Sequence, residues 1–248
     1  MKYRFRQSSV AAVLAVVGGA WAAEALAAQD FLFGRPSTTL GVRIGYAIPR
    51  ADSEIFDLTR RELTVEKEDF NAVALGADLG IRLSDRIDLA LGLGYENSEI
   101  DSESREFIGT DDLPILQTTA FRRVPFTVGL KAYLTERGRR ISDLAWIPGK
   151  FAPFVGGGVG FVWYEFEQEG EFVDYETLDI FYDYFSSRAG SSLAYVTAGF
   201  DYSLGLRWIL TAEARYSWAS ADMGGPFIGF DNIDLNGLRA AFGFSVRL

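Results

Sequence analysis

Apolar and polar residues alternate with period two in eight separate stretches of the chain, the spacing of β-strands whose successive side chains point to opposite faces. Residues 237–248 are the plainest case. Leu238, Ala240, Phe242, Phe244, Val246 and Leu248 share one face, and Arg239, Ala241, Gly243, Ser245 and Arg247 share the other. The same rhythm marks residues 38–48, 70–83, 87–95, 118–134, 151–165, 193–204 and 207–218. Between the second and third stretches, Ser84-Asp85-Arg86 is short enough to make a hairpin turn.

Charge separates the two faces. The 46 alternate positions on the apolar faces hold no Asp, Glu, Lys or Arg, although 23% of the chain is charged. The intervening positions hold Arg43, Asp78, Arg82, Asp88, Lys131, Asp201, Glu213, Arg215, Arg239 and Arg247. Facing Arg or Lys to lipid at mid-bilayer costs ~2–4 kcal/mol, so the charged face must line a lumen. Trp208 and Trp218 lie ten residues apart on one apolar face; at ~3.3 Å per residue and ~45° of tilt they span roughly 23 Å of depth. Tyr46, Tyr95, Phe161, Trp163 and Tyr216 join them as expected membrane-interface aromatics. Connections are short after the second and sixth strands and basic over 135–150; the long ones, at 49–69, 96–117, 165–192 and 219–236, hold most of the acid. The expectation is an all-β, eight-stranded antiparallel transmembrane up-and-down barrel with short periplasmic turns and four long extracellular loops. Ten strands remain open if part of 57–69 or 172–185 forms a further membrane pair. A soluble secreted barrel, the rival class, would carry charge outside and an apolar interior.

The start of the chain fits a secretory signal over residues 1–27, with Lys2, Arg4 and Arg6, an apolar run from Val10 to Ala23, and Ala25-Leu26-Ala27 for cleavage. The barrel domain then occupies 28–248, and no periplasmic domain is expected beyond it. Without the signal the net charge moves from −10 to −12, which argues against nucleic acid as a partner. The chain has no Cys and no His, leaving neither thiolate nor imidazole for a metal or for general-base work. No cofactor is expected.

Three stretches carry a family likeness: Ala152-Pro-Phe-Val-Gly-Gly-Gly-Val-Gly-Phe161, the pair Gly199-Phe-Asp-Tyr and Glu213-Ala-Arg-Tyr216, and the terminal Gly243, Val246 and Leu248. Together with the signal segment they resemble the eight-stranded outer-membrane barrels similar to the membrane domain of OmpA and to OmpX. In that family the last three would be the assembly signal, although Leu248 stands where an aromatic is usual and Ala241 where a polar residue is. The resemblance implies a bacterial outer-membrane location, contact with outer-membrane lipid and lipopolysaccharide, recognition by the barrel-assembly machinery, and a monomer. The enzymes among outer-membrane barrels depend on histidine, which points here to a non-enzymatic envelope or surface-interaction role.

Two candidate sites follow. Arg43, Asp78, Arg82, Lys131, Asp201, Glu213, Arg215 and Arg239 would form a lumenal charge network, either a static plug or the gate of a narrow ion pore in which Glu213 exchanges partners among Arg43, Arg215 and Arg239. The third long loop interleaves Phe172, Tyr175, Phe181, Tyr182, Tyr184 and Phe185 with carboxylates, and would be a hairpin packed on itself or a contact surface for an extracellular ligand. Divalent-cation binding by the acidic loops is a weaker expectation, since no EF-hand spacing occurs.

Overall fold

The structure, a computed structural model, describes residues 31–109, 112–142, 145–174 and 176–248. The expected signal segment, 1–27, lies outside the described residues. Eight strands close into one barrel: β1 (Thr38–Pro49), β2 (Ala72–Arg82), β3 (Ile87–Ile108), β4 (Pro114–Tyr133), β5 (Phe151–Val173), β6 (Ile180–Ser203), β7 (Trp208–Trp218) and β8 (Gly237–Arg247). Each pairs antiparallel with its neighbours in sequence. β8 returns to β1 in continuous register from Gly237 opposite Pro49 to Arg247 opposite Thr39, so the sheet has no free edge.

Outside, the wall is apolar. Leu40, Val42, Ile44, Leu93, Phe126, Leu130, Val159, Val196 and Phe242 all stand exposed on it, which is the reverse of a water-soluble barrel and sets aside that alternative. Among the described residues no helix is long and apolar enough to cross a membrane. β1, β2, β7 and β8 are 11 or 12 residues long, close to the ~9–11 that a tilted strand needs to span. β3 to β6 run for 20 to 24 residues. They carry two hairpins well beyond the membrane and raise one side of the wall.

Three sequence expectations change here. The third, fourth and sixth strands extend past the bounds read from alternation, to Ile108, from Pro114 and from Ile180, and the fifth runs on to Val173. No additional membrane pair forms among the described residues: 172–185 turns over at the top of the β5–β6 hairpin, and 57–69 is helix α1 (Glu54–Glu62) followed by a 3-10 turn, Lys67–Phe70. The basic connection 135–150 holds two short strands, Gly138–Ser142 and Ala145–Pro148, which pair with each other, and Leu32–Phe33 from the start of the described chain pairs with the second to complete a small sheet under the barrel.

α1 forms because Ile55, Phe56 and Thr59 share the face that is buried, while Glu54 and Asp57 in the first turn and Arg60 and Arg61 in the last complement the helix dipole. It lies against the inner face of the raised wall. Phe56 is fully buried and meets Phe70, Phe121 and Phe166 edge-on at 4.9, 5.2 and 5.9 Å. The last long loop adds Met223, Phe227, Ile233 and Leu235 to the same cluster, with Phe227 at 5.6 Å from Phe166. The largest apolar core of this protein is therefore a plug in the outer mouth.

The plug is tied down by polar contacts at its rim. Lys67 and Arg50 donate to Asp52 at 2.6 and 2.8 Å, Asp234 accepts from the backbone N–H of Asp52 at 3.3 Å, and Arg105 donates to the Leu63 carbonyl at 2.6 Å. Hydrogen bonds from Lys67 and Arg50 hold Asp52 below the usual carboxylate range. A lowered folded-state value stabilises the clasp above the unfolded carboxylate value near ~3.9, and the contribution disappears as pH falls through the folded value. Loop 1, residues 49–69, should therefore keep its hydrogen-exchange protection from neutrality down to about pH 4 and lose part of it below. In Asp52→Asn protection should be lower at neutral pH, and acid should lower it no further at this clasp.

Candidate functional site

The lumen-facing charges sort into three levels. At mid-depth Arg43 on β1 reaches Asp78 on β2 through Nε at 2.5 Å and Glu213 on β7 through Nη1 at 2.5 Å. Arg215 contacts the same Glu213 oxygen through Nη2 at 3.1 Å, and its guanidinium lies 4.3 Å from the centroid of the Tyr195 ring. Space for these side chains comes from glycine. A Cβ at Gly92 would stand 2.8 Å from Thr127 Oγ1 and 3.2 Å from Asp78 Oδ1, and one at Gly94 would stand 2.9 Å from the Pro125 ring and 3.1 Å from Arg239 Nη1.

The outer level lies beneath the plug. Glu96 on β3 accepts from Arg123 on β4 at 2.7 Å and faces Arg239 on β8 at 3.7 Å. Arg123 also donates to the Leu235 carbonyl at 3.2 Å, which ties this level to the last loop. At the inner level Asp201 accepts from Lys131, Tyr133 and Thr211 at 3.0, 2.7 and 2.8 Å. Asp88 pairs with Arg137 at 2.6 Å. Trp146, from the small sheet, closes the bottom: it is buried, with Arg82 and Arg247 at 5.4 and 5.7 Å from its ring. Arg247 is further fixed by the Leu206 carbonyl at 3.0 Å and Ser203 Oγ at 2.7 Å.

Of the eight network residues read from sequence, Arg43, Asp78, Glu213 and Arg215 meet in one cluster, and Lys131 and Asp201 form a second. Arg239 faces Glu96 and Arg82 faces Trp146, so neither joins Glu213. Sequence reasoning missed Glu96, Arg123, Arg137 and Trp146. Glu96 and Arg123 share the strand parity of Asp88 and Lys131, and continuing the alternation would have placed them in the lumen. Between the levels lie voids of about 10, 20 and 30 Å³, room for isolated waters rather than a water column.

On the outer wall Tyr46, Tyr95, Phe161, Trp163, Tyr216 and Trp218 sit toward the raised end of the strands and Trp208 at the opposite end, where it stacks on Phe244 at 4.9 Å. Gly243 faces Arg43, Val246 lies between Trp208 and Leu40, and Leu248 donates its N–H to the Thr38 carbonyl at 2.9 Å. In the third loop Phe172 packs on Phe181 and Phe185 at 6.1 and 4.6 Å. Tyr182 donates to Glu169 at 2.7 Å and Tyr184 to Glu167. Tyr175 lies outside the described residues. Among the described residues no group of three or more carboxylates is placed to hold a metal ion.

The architecture can be set beside known proteins. The outer membrane protein OprG of Pseudomonas aeruginosa is similar over 88% of this chain and 99% of its own, at 16% identity and a TM-score of 0.51. This chain has the fold of the eight-stranded outer-membrane β-barrels. Neisserial surface protein A covers 85% of this chain and 96% of its own at 10% identity and a TM-score of 0.49. The outer membrane protease OmpT of Escherichia coli covers 90% and 97% at 10% identity and a TM-score of 0.33. No protein-family model and no curated protein sequence matches. At these identities the likeness is one of fold, and a fold does not carry a function with it.

Proposed function

We propose that this outer-membrane barrel is a closed, non-enzymatic mount for a surface-recognition wall, the extracellular part of the β5–β6 hairpin. The observation that carries the reading is the lumen itself. Side chains fill it at three levels and seal it at both ends with Phe56 and Trp146, which leaves the outside of the wall as the surface available to partners. That hairpin holds eight carboxylates and one arginine between Glu165 and Arg188, with Phe181, Tyr182 and Tyr184 exposed among them. Carboxylates interleaved with tyrosine suit a cationic polypeptide, through ion pairs and cation–π contacts. The absence of histidine supports the non-enzymatic part of the reading.

Planar-bilayer recording on the purified barrel tests closure: wild type and Glu213→Ala should both be silent, because the Glu96 level, the plug and Trp146 remain in the variant. Stepwise currents would favour the rival ion pore. Binding of a lysine- and arginine-rich peptide to barrels in micelles tests the wall. Affinity should fall with salt and drop by about tenfold in Glu169→Gln/Glu171→Gln. Equal binding of an acidic peptide would sink the recognition reading.

A further inference from the structure

The top of the lipid-facing band carries a second surface, independent of the hairpin tip. Three rows cross β4, β5 and β6 in register: Phe126, Phe161 and Ser192; then Val124, Trp163 and Gly190; then Arg122, Glu165 and Arg188. Below the third row the outward positions of these strands are uncharged down to the periplasmic turn. Arg122, Glu165 and Arg188 are thus the first charges met on leaving the hydrocarbon, one residue pair above the Trp163 indole. Here a groove of about 420 Å³ opens along the wall, lined by these three residues with Val124, Trp163 and Gly190. Gly190 lets the Phe161 ring lie across its strand beside the groove, where a Cβ would meet the ring at 2.3 Å.

Charge is arranged so that the cations face outward. Glu165 contacts Arg122 Nη1 with one carboxylate oxygen and Arg188 Nε with the other; its own side chain is 16% exposed, against 38% for Arg122 and 62% for Arg188. Arg188 also reaches Glu167, itself largely covered, at 3.0 Å. The carboxylate beneath thus holds two guanidiniums at the groove, where Arg188 Nη2 also donates to Glu167 and to the Tyr184 hydroxyl. Further up the wall Glu169 and Glu171 repel anions and confine any phosphate to this row.

We propose that this groove binds a phosphorylated lipid of the outer leaflet, its phosphate on Arg122 and Arg188 and an acyl chain along Val124 and Trp163. The chemistry fits each part. Guanidinium forks match phosphate bidentately and are weakly hydrated, which suits them to the interface. An indole at headgroup level prefers the boundary between chain and water. An apolar trough below a cationic rim takes an amphiphile, whereas a free anion would use the rim alone.

Native mass spectrometry of the folded barrel in micelles tests this, with lipid A carrying both phosphates and the same lipid A after phosphatase treatment. The phosphorylated lipid should be retained at concentrations at least about tenfold lower than the stripped one. That preference should vanish in Arg122→Gln/Arg188→Gln and persist in Arg61→Gln, a charge on α1 far from the row. Folding of each variant is checked by heat-dependent gel mobility. If the double variant does not fold, Arg188→Gln alone, the more exposed of the pair, should lose most of the preference. Equal retention of the two lipids, an unchanged preference in the folded arginine variant, displacement by inorganic phosphate, or a dimer mass in place of lipid adducts would each overturn the proposal.

Discussion

Replacing Glu213 by alanine is expected to destabilise the folded barrel by about 3–5 kcal/mol, the cost of leaving buried charge uncompensated. The Glu213 side chain is 3% exposed and contacts both Arg43 and Arg215. Without it Arg43 keeps Asp78, but Arg215 keeps only a 3.4 Å contact to Thr127 Oγ1 and the face of Tyr195. One carboxylate, paired with Arg43, then stands against two guanidiniums in a space whose voids hold only isolated waters. Urea unfolding in micelles, followed by heat-dependent gel mobility, measures the loss. Glu213→Gln separates charge from volume, since it fills the same space, and should lose most of what alanine loses. Adding Arg215→Gln to Glu213→Gln should recover part of the stability, because neighbours in one network are not additive. A loss below ~1 kcal/mol for Glu213→Ala would mean that the arginines are already solvated, and the closed lumen proposed above would fall with it.

The membrane wall was legible in the sequence because lipid enforces a rule without exceptions: no charge at any outward position. The rule identified eight strands, the face that turns outward, and the closure of β8 on β1. Its failures lie where the rule changes sign. On β5 the outward residues run Val155, Val159, Phe161, Trp163 and then Glu165, Glu167, Glu169, while the inward ones run Gly156, Gly158, Gly160 and then Tyr164, Phe166. Within the membrane the outside is lipid and the inside polar; above it the outside is water and the inside is the aromatic plug. The period of two continues through this inversion, so a reading that expected one face to stay apolar ended these strands at the membrane surface.

The same inversion hid part of the candidate site. Glu96 lies one residue past Tyr95, the last position of the charge-free alternation on this strand, although its parity points inward. Which partner each charge takes was not available from sequence at all. Arg239 faces Glu96 and not Glu213 because the stagger of the strands sets how high on the wall each residue stands, and no local pattern encodes that stagger. α1 did leave a signal. Ile55, Phe56 and Thr59 sit at helical spacing, with acid before and base after, but nine residues within a long polar loop give a weak one.

Phe56→Ala is the second large expected effect, and it should appear in loop 1 while the membrane wall stays intact. Truncating a fully buried phenylalanine costs about 3–5 kcal/mol when the cavity cannot collapse, and Phe56 has aromatic neighbours on three sides, Phe70, Phe121 and Phe166. Phe121 and Phe166 are held by the paired strands β4 and β5, so the wall cannot move in to fill the space. α1 has little to replace the lost contact, since an isolated nine-residue helix is unstable in water and the clasps at Asp52 and Arg105 are partly exposed. The plug should therefore open as a local unit. Limited trypsin digestion of the variant should cut at Arg60, Arg61 and Lys67 at least tenfold faster than in wild type, by the same energetic scale. The gel-mobility transition of the barrel should barely shift, because the register of β1, β2, β7 and β8 does not depend on α1. A matching fall in barrel stability would show that the plug is part of the wall's own folding unit. Unchanged cleavage would show that the rim contacts alone hold α1 in place.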